Sequence, residues 1–122
     1  MSQLEQAIAD LLSIDGATGA AIVDLASGMA LAHGGNPGFS LEVAAAGNSN
    51  VVRAKVNTMR DLGITDQIDD ILITLGQQYH LINVLKDENN KGLFLYLTLN
   101  RNSANLALAR HKLSVVARAV RV

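Results

Sequence analysis

The chain has 122 residues, of which 49% are hydrophobic and 17% charged, with a formal net charge of -1. This composition excludes intrinsic disorder, which needs few apolar residues and a high net charge. It predicts one domain with its own hydrophobic core over residues 1–122. Nucleic acid is disfavoured as a partner, because a chain without surplus cations cannot replace the counterions of a phosphate backbone.

Cysteine and tryptophan are both absent from the sequence. The absence of cysteine excludes disulfides, thiolate zinc sites and cysteine nucleophiles. The N-terminal residues lack the apolar run of a signal peptide, and no stretch approaches the ~20 apolar residues of a membrane span. We therefore expect a cytoplasmic protein without a cofactor and without a membrane span.

The first predicted elements are a helix and a β-hairpin. Ser2 and Glu5 have the spacing of a capping box, ahead of an amphipathic helix that stops at Asp15 and Gly16. Residues 18–25 and 29–33 are predicted strands around a turn, and the breaker-rich run 34–38 follows them.

The second predicted helix is rich in small and apolar residues. Ser40 is its predicted N-cap, and it extends to about Leu62 before Gly63. Small or apolar side chains cover more than half of its circumference: Ala44, Ala45, Ala46, Val51, Val52, Ala54, Val56 and Met59. Such a helix usually contacts a second partner besides its own sheet. Helix propensity alone is the alternative explanation of the surplus alanine.

Three predicted strands and a third helix complete the chain. The strands span residues 68–75, 79–86 and 93–99, and their short connections predict antiparallel neighbours. The last strand is apolar on both faces, which places it at the centre of the sheet. Asn102 is the predicted N-cap of the third helix. Its apolar stripe is Leu106, Ala109, Leu113, Val116, Ala117 and Val120, and its outward residues are Arg110, Lys112, Arg118 and Arg121.

The element order is helix-strand-strand-helix-strand-strand-strand-helix. A sheet buried on both faces needs helices on both sides. The sequence therefore predicts an α/β fold, a three-layer α/β/α sandwich with a five-stranded antiparallel sheet.

The sequence offers weak candidates for chemistry. Phosphate-binding glycine patterns are absent. His33 with Asp24 and Ser27 resembles a general-base arrangement, but a turn and a strand end explain these residues more simply. His80 and His111 are interpreted as surface or internally satisfied histidines. We expect no catalytic residue.

Two clusters of like charge have a second interpretation. Asp66, Asp69 and Asp70 suggest a hard-cation site, although a solvated turn explains them without a ligand. The outward basic residues of the third helix suggest an anion-binding face, although a solvent-facing flank is the simpler explanation. We expect no metal site.

Several segments together resemble the Roadblock/dynein-light-chain domain. They are GAAIVD at residues 19–24, GMALA at 28–32, the alanine-rich second helix, DILIT at 70–74 and NRNSANLALAR at 100–110. The resemblance covers nearly the whole chain. It implies a non-catalytic α/β/α module that forms homodimers by pairing the middle strand edge to edge and packing the second helices together. It also implies a bacterial protein that docks with or regulates a small Ras-like GTPase.

This resemblance, with the apolar surplus of the second helix, assigns residues to two surfaces. The expected dimer interface is Leu41, Ala44, Ala45, Asn48, Val52, Val56, Met59, Leu72 and Thr74. The expected partner-binding residues are Arg53, Asn50, Asn57 and Arg60, with Arg53 as the energetic anchor. A solvated helix residue is the alternative interpretation of Arg53.

Two other classes of function stay open. One is a small-molecule sensor or scaffold without a GTPase partner, and the other is an enzyme of unknown type. A sensor needs a concave apolar pocket, for which strands apolar on both faces beneath three helices leave little room. An enzyme needs a cluster of perturbed titratable groups.

Overall fold

The computed structural model describes residues 2–86 and 92–120. The elements are α1 (Gln3–Leu12), β1 (Ala17–Asp24), β2 (Ala30–Gly35), α2 (Leu41–Asp61), β3 (Asp70–Thr74), β4 (Gln78–Val84), β5 (Leu93–Asn100) and α3 (Leu106–Ala119). The strands form one antiparallel sheet in the order β2-β1-β5-β4-β3. Helices α1 and α3 pack on one face and α2 on the other, so the predicted α/β/α sandwich is confirmed.

Strand β5 is the central strand of the sheet, as predicted. Every residue from Leu93 to Leu99 is buried. Leu95 and Leu97 belong to the core beneath α1 and α3, whereas Phe94 and Tyr96 belong to the core beneath α2. Alternation along one strand therefore supplies both layers of the core.

Side chains cap the helices at their N-termini. The hydroxyls of Ser2 and Ser40 accept hydrogen bonds from the backbone N–H groups three residues later, at 3.1 and 3.2 Å, which confirms both predicted caps. The predicted cap of α3 is wrong, because Asn105 and not Asn102 accepts a bond, from the N–H of Leu108 at 3.1 Å. Asn102 lies in a preceding turn, where its N–H donates to the side chain of Asn100.

The two edge strands differ in regularity. The pairing of β2 with β1 shifts register between Ile22 and Val23, and β2 ends at Gly35 with a positive φ of 91°. Strand β3 pairs with β4 in unbroken register from Asp70 to Thr74. It is shorter than the predicted segment 68–75, and the predicted turn at residues 87–92 lies mostly outside the described residues.

Candidate docking surface

Helix α2 packs on the sheet through Leu41, Ala45, Ser49 and Val52, all of which are buried. Three of these residues, Leu41, Ala45 and Val52, were expected in a dimer interface. They lie instead in the core of their own chain, which leaves them no surface for a second copy. The sequence of α2 alone does not indicate which of its apolar residues face the sheet.

Two contacts fix the orientation of α2 around its axis. On one side, Asn48 is hydrogen-bonded to the hydroxyl of Tyr96, beside His80 of β4. On the other side, the guanidinium of Arg53 donates to the carbonyl of Leu25 at the end of β1. One flank of α2 therefore faces β4 and β3, and the opposite flank faces the β1–β2 hairpin.

The exposed face of α2 is uncharged over about four turns. We call it the outer ridge, and it consists of Val43, Ala46, Gly47, Asn50, Ala54 and Asn57, all exposed. Within this ridge, the apolar Val43 is 73% exposed. Depletion of charge is the compositional signature of interface cores, so the outer ridge has the character of a docking surface.

The β1–β2 hairpin extends this surface with further apolar side chains. Met29 and Leu31 are 66% and 45% exposed. The hairpin runs close to α2, because a Cβ on Gly28 would lie 3.4 Å from Cα of Ala46. The ridge and the hairpin thus form a neighbouring pair of exposed apolar surfaces.

The four predicted partner-binding residues occur as two hydrogen-bonded pairs on α2. Arg53 donates to the side-chain oxygen of Asn50, and Arg60 donates to that of Asn57. Because Arg53 also binds the carbonyl of Leu25, its guanidinium is held beside the hairpin. This contact gives Arg53 a structural role that the sequence did not indicate.

The remaining predicted interface residues are distributed over the flank of α2 and the edge strand. Ala44, Asn48 and Met59 are half-buried, and Val56 is exposed. On β3, Leu72 and Thr74 are exposed. Leu72 is paired with Leu81 of the α1/α3 core, so it faces the side of the sheet opposite α2.

A polar network lies where α2 meets β4 and β5. The hydroxyl of Tyr96 lies 3.0 Å from Nδ1 of His80, and Nε2 of His80 lies 3.0 Å from Oε1 of Gln78. With that oxygen as acceptor, Nε2 holds the hydrogen and Nδ1 accepts from the tyrosine. Burial lowers the pKa of His80. It raises the pKa of Tyr96, against the opposing effect of the Asn48 hydrogen bond. His80 is therefore an internally satisfied histidine, as interpreted.

The weak catalytic candidate of the hairpin forms a turn. Ser27 donates from its hydroxyl to Asp24 at 2.6 Å, and its backbone N–H donates to the same oxygen at 3.3 Å. His33 lies beside Glu42, at 3.5 Å, rather than beside Ser27. The geometry thus supports the turn interpretation, since a nucleophile would need its base within hydrogen-bond reach.

The acidic cluster is divided among three roles. Asp70 is the first residue of β3, not part of a turn as expected, and it binds Arg110 of α3 through two hydrogen bonds of 2.9 and 3.0 Å. Asp69 forms an ion pair with Lys86. Asp66 accepts from the N–H of Gln67 at 3.0 Å. Arg110 is consequently not only a solvent-facing residue, and Arg121 lies outside the described residues.

Residues 2–86 and 92–120 contain no group of three or more His, Cys, Asp or Glu side chains arranged to hold a metal ion. Within the same ranges, no helix has both the length and the apolar character to cross a membrane.

Two open clefts contradict the expectation that the fold leaves little room for a pocket. One, of about 900 Å³, lies between α3 and the β3–β4 edge. The other, of about 550 Å³, lies beneath the C-terminal half of α2. Apolar side chains dominate the second cleft: Leu25, Val52, Val56, Met59, Ile64, Ile68, Val84 and Leu85. It exists because residues 64–69 connect α2 to β3 without regular structure.

Comparison with solved structures identifies the fold. A Roadblock/LC7 domain from Streptomyces avermitilis has a TM-score of 0.81 and 14% identity over 97% of this chain and 94% of that one. The gliding protein MglB of Thermus thermophilus has a TM-score of 0.78 and 16% identity over 96% and 84% of the two chains. For MglB of Myxococcus xanthus the TM-score is 0.79 and the identity 12%, over 96% and 93%.

Neither a family model nor a curated protein matches the sequence. The structural likeness is nevertheless complete, since each of these domains covers almost the whole chain. The chain has the Roadblock/LC7 fold.

Proposed function

We propose that the chain is a non-catalytic, homodimeric docking module for a small Ras-like GTPase in the bacterial cytoplasm. The observation that carries the proposal is the uncharged outer ridge of α2, which lies on the same helix as a flank facing an apolar edge strand. The GTPase follows from the resemblance of the sequence to bacterial Roadblock domains, and the MglB neighbours share the fold.

The first step of the proposal concerns β3. Edge strands of monomers usually contain a lysine, a proline or a bulge that blocks pairing with another chain. Strand β3 has the sequence DILIT in unbroken register, with none of these features. The other edge strand, β2, has an irregular register and two terminal glycines. This contrast favours pairing of β3 with β3 of a second copy.

Such pairing would also bring the α2 flanks of two copies together. The flank that faces β3 includes Ala44, Asn48 and Val51. Small side chains allow two helices to approach closely, and Val51 is 37% exposed in the single chain. In an isologous dimer, the same flank of α2 contributes to the contact from both copies.

Dimerisation through β3 is tested by light scattering over a dilution series in about 1 M salt, where attraction between charged surfaces is screened. We expect the wild type at twice 12.9 kDa and Leu72→Lys as a monomer, because the lysine adds charge to the pairing edge. Leu31→Lys is the matched control, since Leu31 is an exposed leucine on the opposite edge strand. A wild-type monomer at micromolar concentration would contradict the dimer, and a dimeric Leu72→Lys would remove β3 from the interface.

The second step concerns the GTPase. In the proposed dimer the two outer ridges lie beside the two-fold axis, where one asymmetric protein can cover both. We therefore expect one GTPase per dimer. Val43, Ala46 and Ala54 form the apolar centre of that contact, with Arg53 and Arg60 at its border.

Calorimetric titration with the small Ras-like GTPases of the source organism, loaded with GTP or GDP, tests this step. We expect Ala46→Glu to weaken binding at least about tenfold, because it places a charge at the centre of the contact. Lys112→Glu on the opposite side of the sheet is the control. Unchanged affinity in Ala46→Glu would exclude the outer ridge, and no binding by the wild type to any of these GTPases would exclude the function.

The apolar cleft beneath α2 favours a second candidate, a small-molecule sensor. Its volume of about 550 Å³ lies within the range of ligand pockets. Ligand-induced quenching of a Met59→Trp variant by apolar metabolites would support the sensor. Binding of a GTPase without any such quenching would favour the first candidate.

A further inference from the structure

Charged residues are segregated along this sequence. Residues 1–52 contain acidic side chains and no lysine or arginine, whereas residues 101–122 contain basic side chains and no aspartate or glutamate. The acidic set is Glu5, Asp10, Asp15, Asp24 and Glu42, and the basic set is Arg101, Arg110, Lys112, Arg118 and Arg121. The net charge of -1 does not reveal this separation, because the two sets nearly cancel.

The fold places some residues of the acidic set and some of the basic set on the same side of the sheet. Helices α1 and α3 pack together on the same side of the sheet. Glu5 and Asp10 are exposed on α1, and His111 and Lys112 are exposed on α3. Within the described residues, none of Glu5, Asp10 and Lys112 forms an ion pair with another side chain. The face therefore has an acidic half and a basic half.

Exposed apolar side chains lie on the same face. Leu108 and Val115 of α3 are 41% and 45% exposed, one on either side of Lys112 along the helix. Residues 108, 112 and 115 have the spacing of one helical stripe. An approaching surface would thus bury apolar area as well as neutralise charge.

The division of charge restricts what can cover this face. A uniformly anionic surface, such as a lipid bilayer or a nucleic acid, would attract α3 but repel α1 beside it. A complementary surface needs both signs side by side in the reverse order. A second copy presents this surface when it is related by a two-fold axis that lies in the face between α1 and α3.

We infer that the outer face of α1 and α3 is a self-association surface, on which α1 of one copy lies against α3 of another. Complementary charge sets the orientation of this contact. Each exposed ion pair adds little affinity, but the pairs together give the contact its salt dependence. The surface is on the opposite side of the sheet from α2 and does not involve the β3 edge. It therefore goes beyond the proposed β3 dimer and does not depend on it.

Sedimentation velocity tests the inference first with the Leu72→Lys variant, in which β3 pairing is blocked. We expect this variant to dimerise at about 0.01 M salt and to become monomeric at about 1 M, where the Debye length is ~3 Å rather than ~30 Å. A monomer at both salt concentrations would overturn the inference. This result does not depend on whether the chain binds a GTPase or pairs through β3.

A charge exchange in the same background tests the pairing of the helices. Glu5→Lys with Asp10→Lys makes α1 basic like α3, and His111→Glu with Lys112→Glu places two carboxylates on the exposed side of α3, where they meet the acidic α1 of the other copy. We expect each variant alone to associate at least about tenfold more weakly than Leu72→Lys at low salt, because like charges meet. An equimolar mixture should associate again, since α1 and α3 of the two variants are then complementary. Circular dichroism checks that both variants fold, and a mixture that stays monomeric would refute the pairing.

Discussion

Arg110 of α3 clamps Asp70 of the edge strand β3 through two hydrogen bonds, at 2.9 and 3.0 Å. The carboxylate side chain is only 23% exposed, whereas the arginine is 48% exposed. Among the residues that the structure describes, strand β3 has a hydrogen-bonded neighbour on one side only, namely β4. The ion pair therefore adds a side-chain connection that holds the first residue of the edge strand to α3.

A double-mutant cycle measures the strength of this connection. We expect Asp70→Asn, Arg110→Gln and the double variant to give a coupling free energy of about 1 kcal/mol, the upper end for exposed pairs, because the geometry is bidentate. The coupling should decrease at high salt. His33 and Glu42 provide the control pair with a coupling near zero, because they are 3.5 Å apart and the carboxylate of Glu42 is 78% exposed. Equal coupling for the two pairs would contradict the argument.

Substitutions at two neighbouring valines of α2 test folding and association separately. Val52 is fully buried and Val51 is 37% exposed. We expect Val52→Asp to lower the free energy of unfolding by several kcal/mol, because it buries an unpaired charge. Val51→Asp should change the free energy of unfolding of the single chain by less than about 0.5 kcal/mol while weakening the proposed dimer.

Urea unfolding combined with light scattering distinguishes these outcomes. Because the free energy of a dimer depends on concentration, unfolding is compared at a dilution where both proteins are monomeric. A stable, well-folded Val52→Asp would show that α2 is rotated from the orientation described above.

Two glycines with almost the same φ test how much the surroundings add to backbone strain. Gly35 and Gly38 have φ of 91° and 89°. A Cβ on Gly35 would lie 2.5 Å from the carbonyl oxygen of Thr18, whereas one on Gly38 would meet nothing within 4 Å. We expect Gly38→Ala to cost about 1–2 kcal/mol for the left-handed backbone alone.

Gly35→Ala should cost substantially more, because the neighbouring backbone of β1 would have to move. Thermal unfolding of both variants, monitored by circular dichroism, gives the comparison. Equal losses of stability would mean that β2 moves away from β1 without a penalty.

Local signals in the sequence were sufficient for most of the fold. The caps Ser2 and Ser40 need only a hydroxyl and the N–H three residues on, so spacing alone reveals them. The position of β5 follows from apolar residues on both of its faces. The cap of α3 could not be chosen from sequence, since Asn102 and Asn105 are the same residue type and only the turn after β5 distinguishes them.

The candidate site depended on packing that no local pattern contains. The buried Leu41 and Val52 are similar in apolar character to the exposed Val43 and Val51, so the sequence does not specify which of these residues face the sheet. The ion pair of Asp70 with Arg110 joins residues 40 positions apart. The contact of His80 with Tyr96 needs the register of β4 against β5, in which Tyr96 pairs with Ile82.

The free energy of unfolding should depend on pH through His80. Burial lowers the pKa of this imidazole below its ordinary value of 6.5. As the pH falls below that value, the unfolded chain takes up a proton before the folded chain does. The free energy of unfolding should therefore decrease from about pH 6.5 down to the lowered pKa of the folded state and change no further below it. Above about pH 6.5 the imidazole is neutral in both states and contributes no pH dependence.

Urea unfolding of the wild type and of His80→Gln across this range isolates the contribution of His80. Glutamine keeps a polar side chain beside the hydroxyl of Tyr96 but does not titrate, so the variant should lose less stability on acidification than the wild type. His33 and His111 are present in both proteins and cancel in the comparison. Identical pH dependence would show that the folded chain tolerates a charged His80. A wild type that gained stability relative to His80→Gln on acidification would mean that the network binds the imidazolium more strongly than the neutral ring.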